Sequence, residues 1–332
     1  MQQAKTQEMV SSRSAQRRWL TRDRLAALLM IAPSAVAIAI FVYGFIAWTG
    51  YVSLTKWSSI LPDYTFVGFK NYVDIFGTAR FQTDVRNTIV FTAFFLMGCL
   101  VLGLLLAMLV DSHVKGESIF RSIYLFPMAL SFIVTGVAWL WLFTPGKFPQ
   151  DPTGINLLFH KLGLDFVQGA WITDTKVVPG WYPDWSKTKL GVPLAMIPVV
   201  IAAVWQMSGF TMAMYLAGLR GISEEIKEAA RVDGASEWQL FRRIILPLLQ
   251  PVTLSAVIIL GHISLKIFDL ILTMTHGGPG NATDVPGVYM YDITFNANKI
   301  AQGAAVAIVM LLLVAVLIVP YLIYNARTEV EQ

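Results

Sequence analysis

The sequence predicts an all-α membrane protein with six transmembrane helices and both chain ends on the cytoplasmic side. Apolar residues make up 56% of the 332 residues and charged residues only 14%, whereas soluble domains carry about 25% charged residues. Six apolar stretches are long enough to cross a bilayer, and lysine and arginine are denser on alternate connecting segments. These three observations exclude an ordinary soluble domain.

The apolar stretches have the length and pattern of membrane-spanning helices. A bilayer core about 30 Å thick requires roughly 20 residues of helix. Because the hydrocarbon offers backbone groups no hydrogen-bond partner, each stretch must be helical, and none shows the alternation of a barrel strand. The approximate bounds are 25–48, 88–110, 119–143, 192–217, 248–274 and 301–325.

The distribution of lysine and arginine sets the expected orientation. The segments predicted to be cytoplasmic, with Arg121 at a flank, hold 14 of them in roughly 70 residues, and the outer segments hold 10 in roughly 110. A cleaved signal peptide is a weaker interpretation of the basic start, because the first apolar run exceeds the 7–15 residues typical of one. The predicted cytoplasmic segments are 1–24, 111–118, 218–247 and 326–332, and the outer ones are 51–87, 144–191 and 275–300.

This topology divides the chain into a basic tail 1–24, a transmembrane region 25–325 and a short tail 326–332. The basic residues follow the membrane topology and form no single stripe, so nucleic acid is not an expected partner. The lone cysteine, Cys99, excludes an internal disulfide, and the four histidines lack the spacing of metal ligands. No metal site is therefore expected.

The outer segments carry signals of local structure. Phe69, Tyr72, Val73 and Phe76 recur at helical spacing, which predicts an amphipathic helix on the membrane surface. The 144–191 segment is rich in Trp, Pro and Gly and is long enough to form a small cap.

The charged segment 218–247, called here the coupling segment, predicts two short helices. Ser223 can cap the first helix, whose first turn carries Glu224 and Glu225. Gly234 interrupts the pattern because it tolerates positive φ. Ser236 and Gln239 form the capping box of a second helix, in which Trp238, Phe241 and Ile245 share one face and which Pro247 is expected to end.

The coupling segment also carries a family signature. In EAARVDGASEWQLFRRIILP, residues 228–247, E-A-A is followed after three residues by G and after nine more by I-x-L-P. This pattern resembles the signature loop of the membrane subunits of binding-protein-dependent ABC importers, whereas the alternative is a solvated loop with no partner. The resemblance implies a coupling helix that docks on a cytoplasmic ATPase through Glu228, Ala229, Ala230, Asp233, Gly234 and Ala235.

Further stretches narrow the resemblance to sugar permeases. FVGFKNYVDIF, RSIYLFPMALSFIVTGVAWLWLF and KIFDLILTMTHGGPGNATD are similar to permeases of the maltose/glycerol-phosphate type, most of all to glucose/mannose and α-glucoside permeases. The resemblance begins near residue 25 and is weaker at 165–191. It implies the fold of an ABC type I importer permease in the bacterial plasma membrane, which takes a sugar from an extracytoplasmic binding protein.

The resemblance further implies a second permease subunit and two ATP-binding subunits. The chain lacks the G-x-x-x-x-G-K-[ST] phosphate loop, so ATP and Mg are expected on the partner ATPase and no cofactor on this chain. Without an acid/base cluster in the spans, no enzyme activity is expected. An ion-coupled secondary transporter is the alternative, although such proteins usually bury several carboxylates.

Two groups of polar residues within the spans are candidates for the substrate pathway. His262, Lys266 and Asp269 share one face of the fifth span, where a structural or gating role competes with sugar contact. Hydroxyls, an amide and an indole in the fourth span suit a neutral polyol, but helix packing explains them equally well. The fourth-span candidates are Trp205, Gln206, Ser208 and Thr211. The glycine-rich HGGPGNATD at 276–284 predicts a tight turn that acts as an outer gate or contacts the binding protein.

Overall fold

The computed structural model describes residues 22–112, 116–147 and 149–330. Over these residues the chain is mostly helical, as predicted, with two small antiparallel hairpins in addition. The chain forms two compact units, Met1–Thr49 and Gly50–Gln332. Of the predicted tail 1–24, only residues 22–24 lie within the described part.

The helices are numbered in chain order, and short 3₁₀ and π segments are named where they matter. They are α1 (Arg22–Ile38), α2 (Phe45–Ser53), α3 (Lys70–Phe76), α4 (Ala79–Asp111), α5 (Glu117–Leu125), α6 (Phe132–Phe143), α7 (Gly154–Lys161), α8 (Met196–Arg220), α9 (Glu224–Val232), α10 (Glu237–Leu240), α11 (Leu246–Leu248), α12 (Gln250–Leu265), α13 (Asp269–Met274), α14 (Pro286–Tyr291) and α15 (Ile300–Val330).

The described residues contain four helices that are long and apolar enough to cross a membrane, or up to six if each of two bent helix pairs forms one span. The four match the first, second, fourth and sixth predicted stretches. The last helix, α15, continues past the predicted boundary at 325 to Val330. The four helices are Ala27–Ser53, Ala79–Asp111, Met196–Arg220 and Ile300–Pro320.

The third predicted stretch, 119–143, is not a straight helix. It is divided at Leu130 and Ser131, where the chain turns by 98° between α5, with its 3₁₀ extension Phe126–Ala129, and α6. Ser131 starts the new helix by accepting a hydrogen bond from the Val134 amide at 3.3 Å. The 12 residues of α6 measure about 18 Å, which alone is too short to cross the bilayer core.

The fifth predicted stretch, 248–274, is also interrupted. Its main helix, α12, ends at Leu265, and α13 begins at Asp269 after three non-helical residues. At the other end the chain bends by 59° at Leu249. The helical run from Glu237 continues through Pro247 and ends at Leu248, so the change of direction expected at Pro247 lies two residues later, at Leu249.

The 144–191 segment folds into a small cap, as predicted. One hairpin pairs β1 (Gly146–Lys147) with β2 (Asp151–Pro152), and a second pairs β3 (Val177–Trp181) with β4 (Leu190–Pro193). Helix α7 lies between the two hairpins in the chain, and its buried Asn156 accepts hydrogen bonds from Gly169 and Trp171.

The predicted amphipathic helix at Phe69–Phe76 is confirmed as α3. Its inner face is held by Asn71, whose amide donates to the carbonyl oxygens of Ser53 and Thr55 at 2.8 Å. Phe69 and Val73 are more than two-thirds exposed. Apolar side chains exposed on a surface helix suit a position at the membrane interface.

The centre of the second unit is the packing of α4 against α8. Phe91, Phe95 and Cys99 of α4 are fully buried together with Val199 and Ala202 of α8. A methyl group added at Gly98 would lie 2.7 Å from Val204, so small residues set the approach of the two helices.

Helix α8 holds the bent α5–α6 element at three points. Near the bend, the Gln206 Nε2 donates a 2.8 Å hydrogen bond to the Leu130 carbonyl. At Gly209 the two backbones touch, because an added methyl would overlap the Tyr124 carbonyl. At the end of α8, the Arg220 guanidinium binds the Glu117 carboxylate at 2.7 Å.

The segments between spans gather into two groups. At the cap end, Lys187 of the cap donates to the Gly77 carbonyl at 2.6 Å, and Arg80 at the start of α4 forms ion pairs with Asp284 at 2.5 Å and Asp292 at 2.6 Å. At the opposite end of α8, Arg220 joins the coupling segment to residues 111–117. The grouping matches the alternation of sides that the sequence predicted.

Gly209→Ala is expected to lower the thermal unfolding temperature of the detergent-purified protein. The added methyl must push α5 away from α8, and overpacking of this kind costs about 1–3 kcal/mol. Gly50→Ala is the matched control, because it is also helical and its added methyl meets only the Ile308 side chain at 3.9 Å. Equal unfolding temperatures for the two variants would contradict the close approach at Gly209.

Candidate functional site

The coupling segment is built from two helices that meet at Gly234. Gly234 has a φ of +82°, and the next amide, that of Ala235, donates to the Ala230 carbonyl at 3.0 Å. This arrangement ends α9 with a left-handed residue, which glycine adopts without a Cβ clash. Ser223 occupies the N-cap of α9, as predicted, but its side chain makes no capping hydrogen bond.

The start of the second helix, α10, follows the sequence prediction. The Ser236 amide donates to the Gln239 side chain at 2.8 Å, and the Gln239 amide donates to the Ser236 hydroxyl at 3.3 Å. These two bonds form the capping box. The rings of Trp238 and Phe241 lie 5.8 Å apart on one face.

An ion pair connects the two helices across Gly234. The Arg231 Nε donates to the Glu237 carboxylate at 2.8 Å, and this hydrogen bond raises the pKa of the Arg231 guanidinium. Both groups are exposed, so the pair contributes little to stability. It bridges the turn whose direction is set by the Gly234 backbone.

The coupling segment presents mainly exposed residues. Of the six residues assigned to coupling, Ala230 is buried and Ala235 half-buried, whereas Glu228, Ala229, Asp233 and Gly234 are exposed. Val232 and Trp238 are 87% and 65% exposed. The sequence pattern did not single out Val232. Large apolar side chains exposed beside charged ones are typical of a surface that binds another protein.

The fourth-span candidates do not share one surface. Gln206, Ser208 and Thr211 are buried, and the Thr211 hydroxyl is hydrogen-bonded to the Met207 carbonyl at 3.3 Å. Trp205 is 38% exposed and contacts Trp139 of α6 with ring centroids 5.6 Å apart. Gln206 holds the α5–α6 bend, which gives it a structural role.

Trp205 and Ser208 line a groove of about 830 Å³ between α4, α5 and α8. Most of its other lining side chains are apolar, including Phe94, Met97 and Val101. A wall of this chemistry suits acyl chains or another apolar helix better than a polyol.

The fifth-span candidates do share one surface, and it lies at the break between α12 and α13. His262 is half-buried, and Lys266 and Asp269 are exposed. The Lys266 Nζ lies 3.3 Å from the His262 Nε2. Lys266 and Asp269 form no ion pair within 4.0 Å in the described part of the chain, although the sequence left mutual neutralisation open.

This polar surface is longer than the sequence analysis recognised. Beyond the break, Thr273 of α13 and the exposed His276 that follows α13 line one cavity, and together with His262, Lys266 and Asp269 they are called here the polar stripe. Between them, Leu270, Ile271 and Met274 are buried. Thr273 is half-buried against Gly136 of α6, so the exposed members of the stripe are Lys266, Asp269 and His276. Transporters use polar groups at a broken helix to line a path. The stripe's cap-end residues were missed because they lie beyond the Lys266 to Asp269 cluster.

The turn at 276–284 is tight, as predicted, and is anchored to α4. Gly277 and Gly278 have positive φ, and the Asn87 side chain donates to the Asp284 carbonyl at 2.8 Å. Asp284 is fully buried against Arg80. Among the described residues no group of three or more His, Cys, Asp or Glu is arranged to hold a metal ion.

Similar proteins identify the family to which these features belong. The model for the family described as "Binding-protein-dependent transport system inner membrane component" matches residues 99–330, which include the coupling segment and the polar stripe. A solved bacterial ABC transporter involved in import of the acidic polysaccharide alginate has a chain that aligns with a TM-score of 0.70. That alignment covers 92% of this chain and 96% of the other at 21% identity, which shows a shared fold.

Curated permeases are similar to this chain over almost the whole length of both proteins. A probable ABC transporter permease of Pyrococcus horikoshii is 42% identical over 91% of this chain and 96% of its own. A xylose/arabinose import permease of Haloferax volcanii is 34% identical over 97% and 95%. A trehalose/maltose transport system permease of Thermococcus litoralis is 29% identical over 91% and 94%.

These matches confirm the resemblance that the motif at 228–247 indicated. They identify a multi-pass membrane transport component rather than a catalytic enzyme. The chain belongs to the family of inner membrane components of binding-protein-dependent transport systems, the permeases of ABC importers.

Proposed function

We propose that this permease forms half of the translocation pathway for a sugar, a mono- or oligosaccharide delivered by an extracytoplasmic binding protein. The observation that carries the proposal is the exposed coupling segment with its complete family motif at 228–247. Relatives named for xylose/arabinose and trehalose/maltose support the substrate class. Their names favour an ATP-driven importer over an ion-coupled secondary transporter.

In this proposal, energy arrives through the coupling segment. Two ATP-binding subunits hold ATP and Mg, and one of them docks on Glu228, Ala229, Asp233 and Gly234 and on the apolar Val232 and Trp238. Closure of the ATPase pair biases the membrane subunits between two states through these contacts. The Arg231–Glu237 pair keeps the docked surface in one shape.

The polar stripe is the proposed substrate pathway, with Lys266 and Asp269 at its centre. A charged surface at a helix break is costly against lipid, so we place the stripe against water and a second permease subunit, most simply a different chain. His262 and Lys266 then serve either gating or sugar contact, and Trp205 stays a weaker candidate for contact.

The proposed orientation puts the coupling segment and both chain ends in the cytoplasm, with six spans in the bacterial plasma (inner) membrane. Helix α8 supports this arrangement, because its 25 residues span about 37 Å between the cap and the coupling segment. The two groups of connecting segments support it also, since each group is held together by its own contacts.

Glu228→Lys is expected to uncouple transport. In proteoliposomes containing the complete complex, sugar-stimulated ATP hydrolysis and import should fall tenfold or more, because reversing a charge at a docked surface costs roughly 2–5 kcal/mol. Gly234→Pro should act in the same direction, since proline cannot adopt a φ of +82°.

Glu225→Lys is the matched control, because it makes the same charge change on an exposed residue of the same helix, outside the motif. It should retain activity within about twofold, on the general expectation for a surface substitution. Normal coupling in Glu228→Lys and Gly234→Pro would show that the ATPase docks elsewhere.

Cysteine labelling tests the orientation. Cys99 is the single cysteine and is buried, so Cys99→Ala provides a background for Glu237→Cys and Arg242→Cys. A membrane-impermeant maleimide is expected to label both only after the cells are permeabilised. Lys147→Cys in the cap should label in intact cells, and the reverse pattern would invert the proposed topology.

A further inference from the structure

A cavity of about 310 Å³ lies at the cap end of the polar stripe. One wall is formed by the last turns of α6 and the 3₁₀ turn Trp171–Thr173 of the cap, and the other by α13 and the glycine turn that follows it. Its volume is at the lower end of the range for small-molecule sites. The lining side chains that matter are Leu140, Ile172, Thr173, Leu272, Thr275 and His276.

Both walls of this cavity contain a bulky residue in the left-handed backbone region. Trp171 has a φ of +44° and His276 a φ of +48°. Such values are outliers for bulky side chains, and they persist only where the surroundings impose them, often at ligand sites. Trp171 is held by its Nε1, which donates to the buried Asn156 side chain at 2.6 Å. Ile172 and Thr173, which follow Trp171, line the cavity opposite the residues of α13.

The hydroxyl groups of the walls can accept hydrogen bonds from a ligand. The Thr173 hydroxyl donates to the Ala170 carbonyl at 2.7 Å, and the Thr273 hydroxyl donates to the Asp269 carbonyl at 2.7 Å. The Thr275 hydroxyl donates to the Ile271 carbonyl at 3.1 Å. The Thr275 oxygen also accepts a hydrogen bond from the Thr283 hydroxyl at 2.7 Å. Because the protons of Thr173 and Thr273 are committed to the backbone, their oxygen atoms offer lone pairs to hydroxyl donors.

The remaining lining is apolar or uncharged. Leu140, Ile172 and Leu272 supply hydrocarbon surface, and His276 is the one titratable side chain of the lining. The wall has no lysine or arginine to pair with a carboxylate in the bidentate or charge-assisted way, and no aspartate or glutamate to pair with a cation. Hydrocarbon beside hydroxyl acceptors matches a sugar ring, whose C–H faces are apolar and whose edges carry O–H donors.

We infer that this cavity is an outer subsite that receives one neutral sugar ring before the ring moves along the polar stripe. The inference rests on the proposed function, because the stripe is taken there as the pathway. It adds a position, the cavity between the cap and α13, and a chemical preference for uncharged rings over uronic acids.

The subsite can be tested with the complete complex in lipid nanodiscs. Saturation-transfer NMR titrations would use glucose, xylose and arabinose as neutral probes and glucuronate as an acidic probe. The wild-type complex is expected to bind at least one neutral sugar and no glucuronate. Thr173→Val should weaken neutral binding by about two- to tenfold, the effect of losing one hydrogen bond.

Thr144→Val is the matched control, because the Thr144 hydroxyl also bonds to a backbone carbonyl, that of Leu140 at 2.7 Å, but does not line the cavity. It should bind as the wild type does. Thr173→Lys should lose neutral binding and gain glucuronate binding, which misfolding cannot imitate.

The outcomes separate this inference from the proposed function. Import by the complex together with its binding protein is measured in proteoliposomes, independently of the titrations. If no sugar is imported, the proposed function fails. If import proceeds but no neutral probe binds, or Thr173→Val and Thr144→Val behave alike, the subsite assignment alone is overturned.

Discussion

The structure depends on satisfying backbone groups where the chain breaks its helices inside an apolar region. The bend at Leu130 releases a carbonyl that a continuous helix would bond, and hydrocarbon offers no replacement. The Gln206 side chain supplies the missing donor. Helix α8 thereby supports the bend, holds α5 through the contacts at Gly209 and Arg220, and contacts α6 through Trp205 and Trp139.

The packing of α8 against α5 and α6 connects the coupling segment with the polar stripe. The segment follows directly from α8, and α6 packs so closely on α13 that a methyl group added at Gly136 would overlap the Thr273 hydroxyl. Contacts are therefore continuous from the coupling segment through α8 and α6 to Thr273. A packed connection of this kind can transmit a small displacement because tightly packed interfaces shift between discrete arrangements.

The sequence predicted local features well because their causes are local. The capping box at Ser236, the left-handed Gly234 and the surface helix α3 each depend on residues within one or two turns. The alternation of the apolar stretches also predicted which connecting segments between Gly50 and Arg220 lie together. Hydropathy, in contrast, measures composition and does not report the direction of the helix axis. It therefore did not predict the 98° bend inside 119–143, although Pro127 and Ser131 are residues that can mark such a bend.

Features made by distant residues could not be predicted from local patterns. The break at Lys266–Phe268 contains neither proline nor glycine, and Phe268 packs on Tyr291 and Gly287 of α14, which lie about 20 residues further along the chain. Likewise, the substrate-pathway candidates of the fourth span were chosen by depth, whereas the direction of each side chain is set by neighbouring helices. The Gln206 amide thus turned out to bond a backbone carbonyl from another span.

The ion pairs of Arg80 join the first turn of α4 to the glycine-rich turn at 276–284. Asp284 is fully buried, and it shares one guanidinium with Asp292. Separating a buried carboxylate from its cation is expensive, so the glycine-rich turn and the first turn of α4 must move together. A displacement of this turn would therefore act on a helix 33 residues long, whose last residue, Asp111, is paired with Arg220 at the start of the coupling segment.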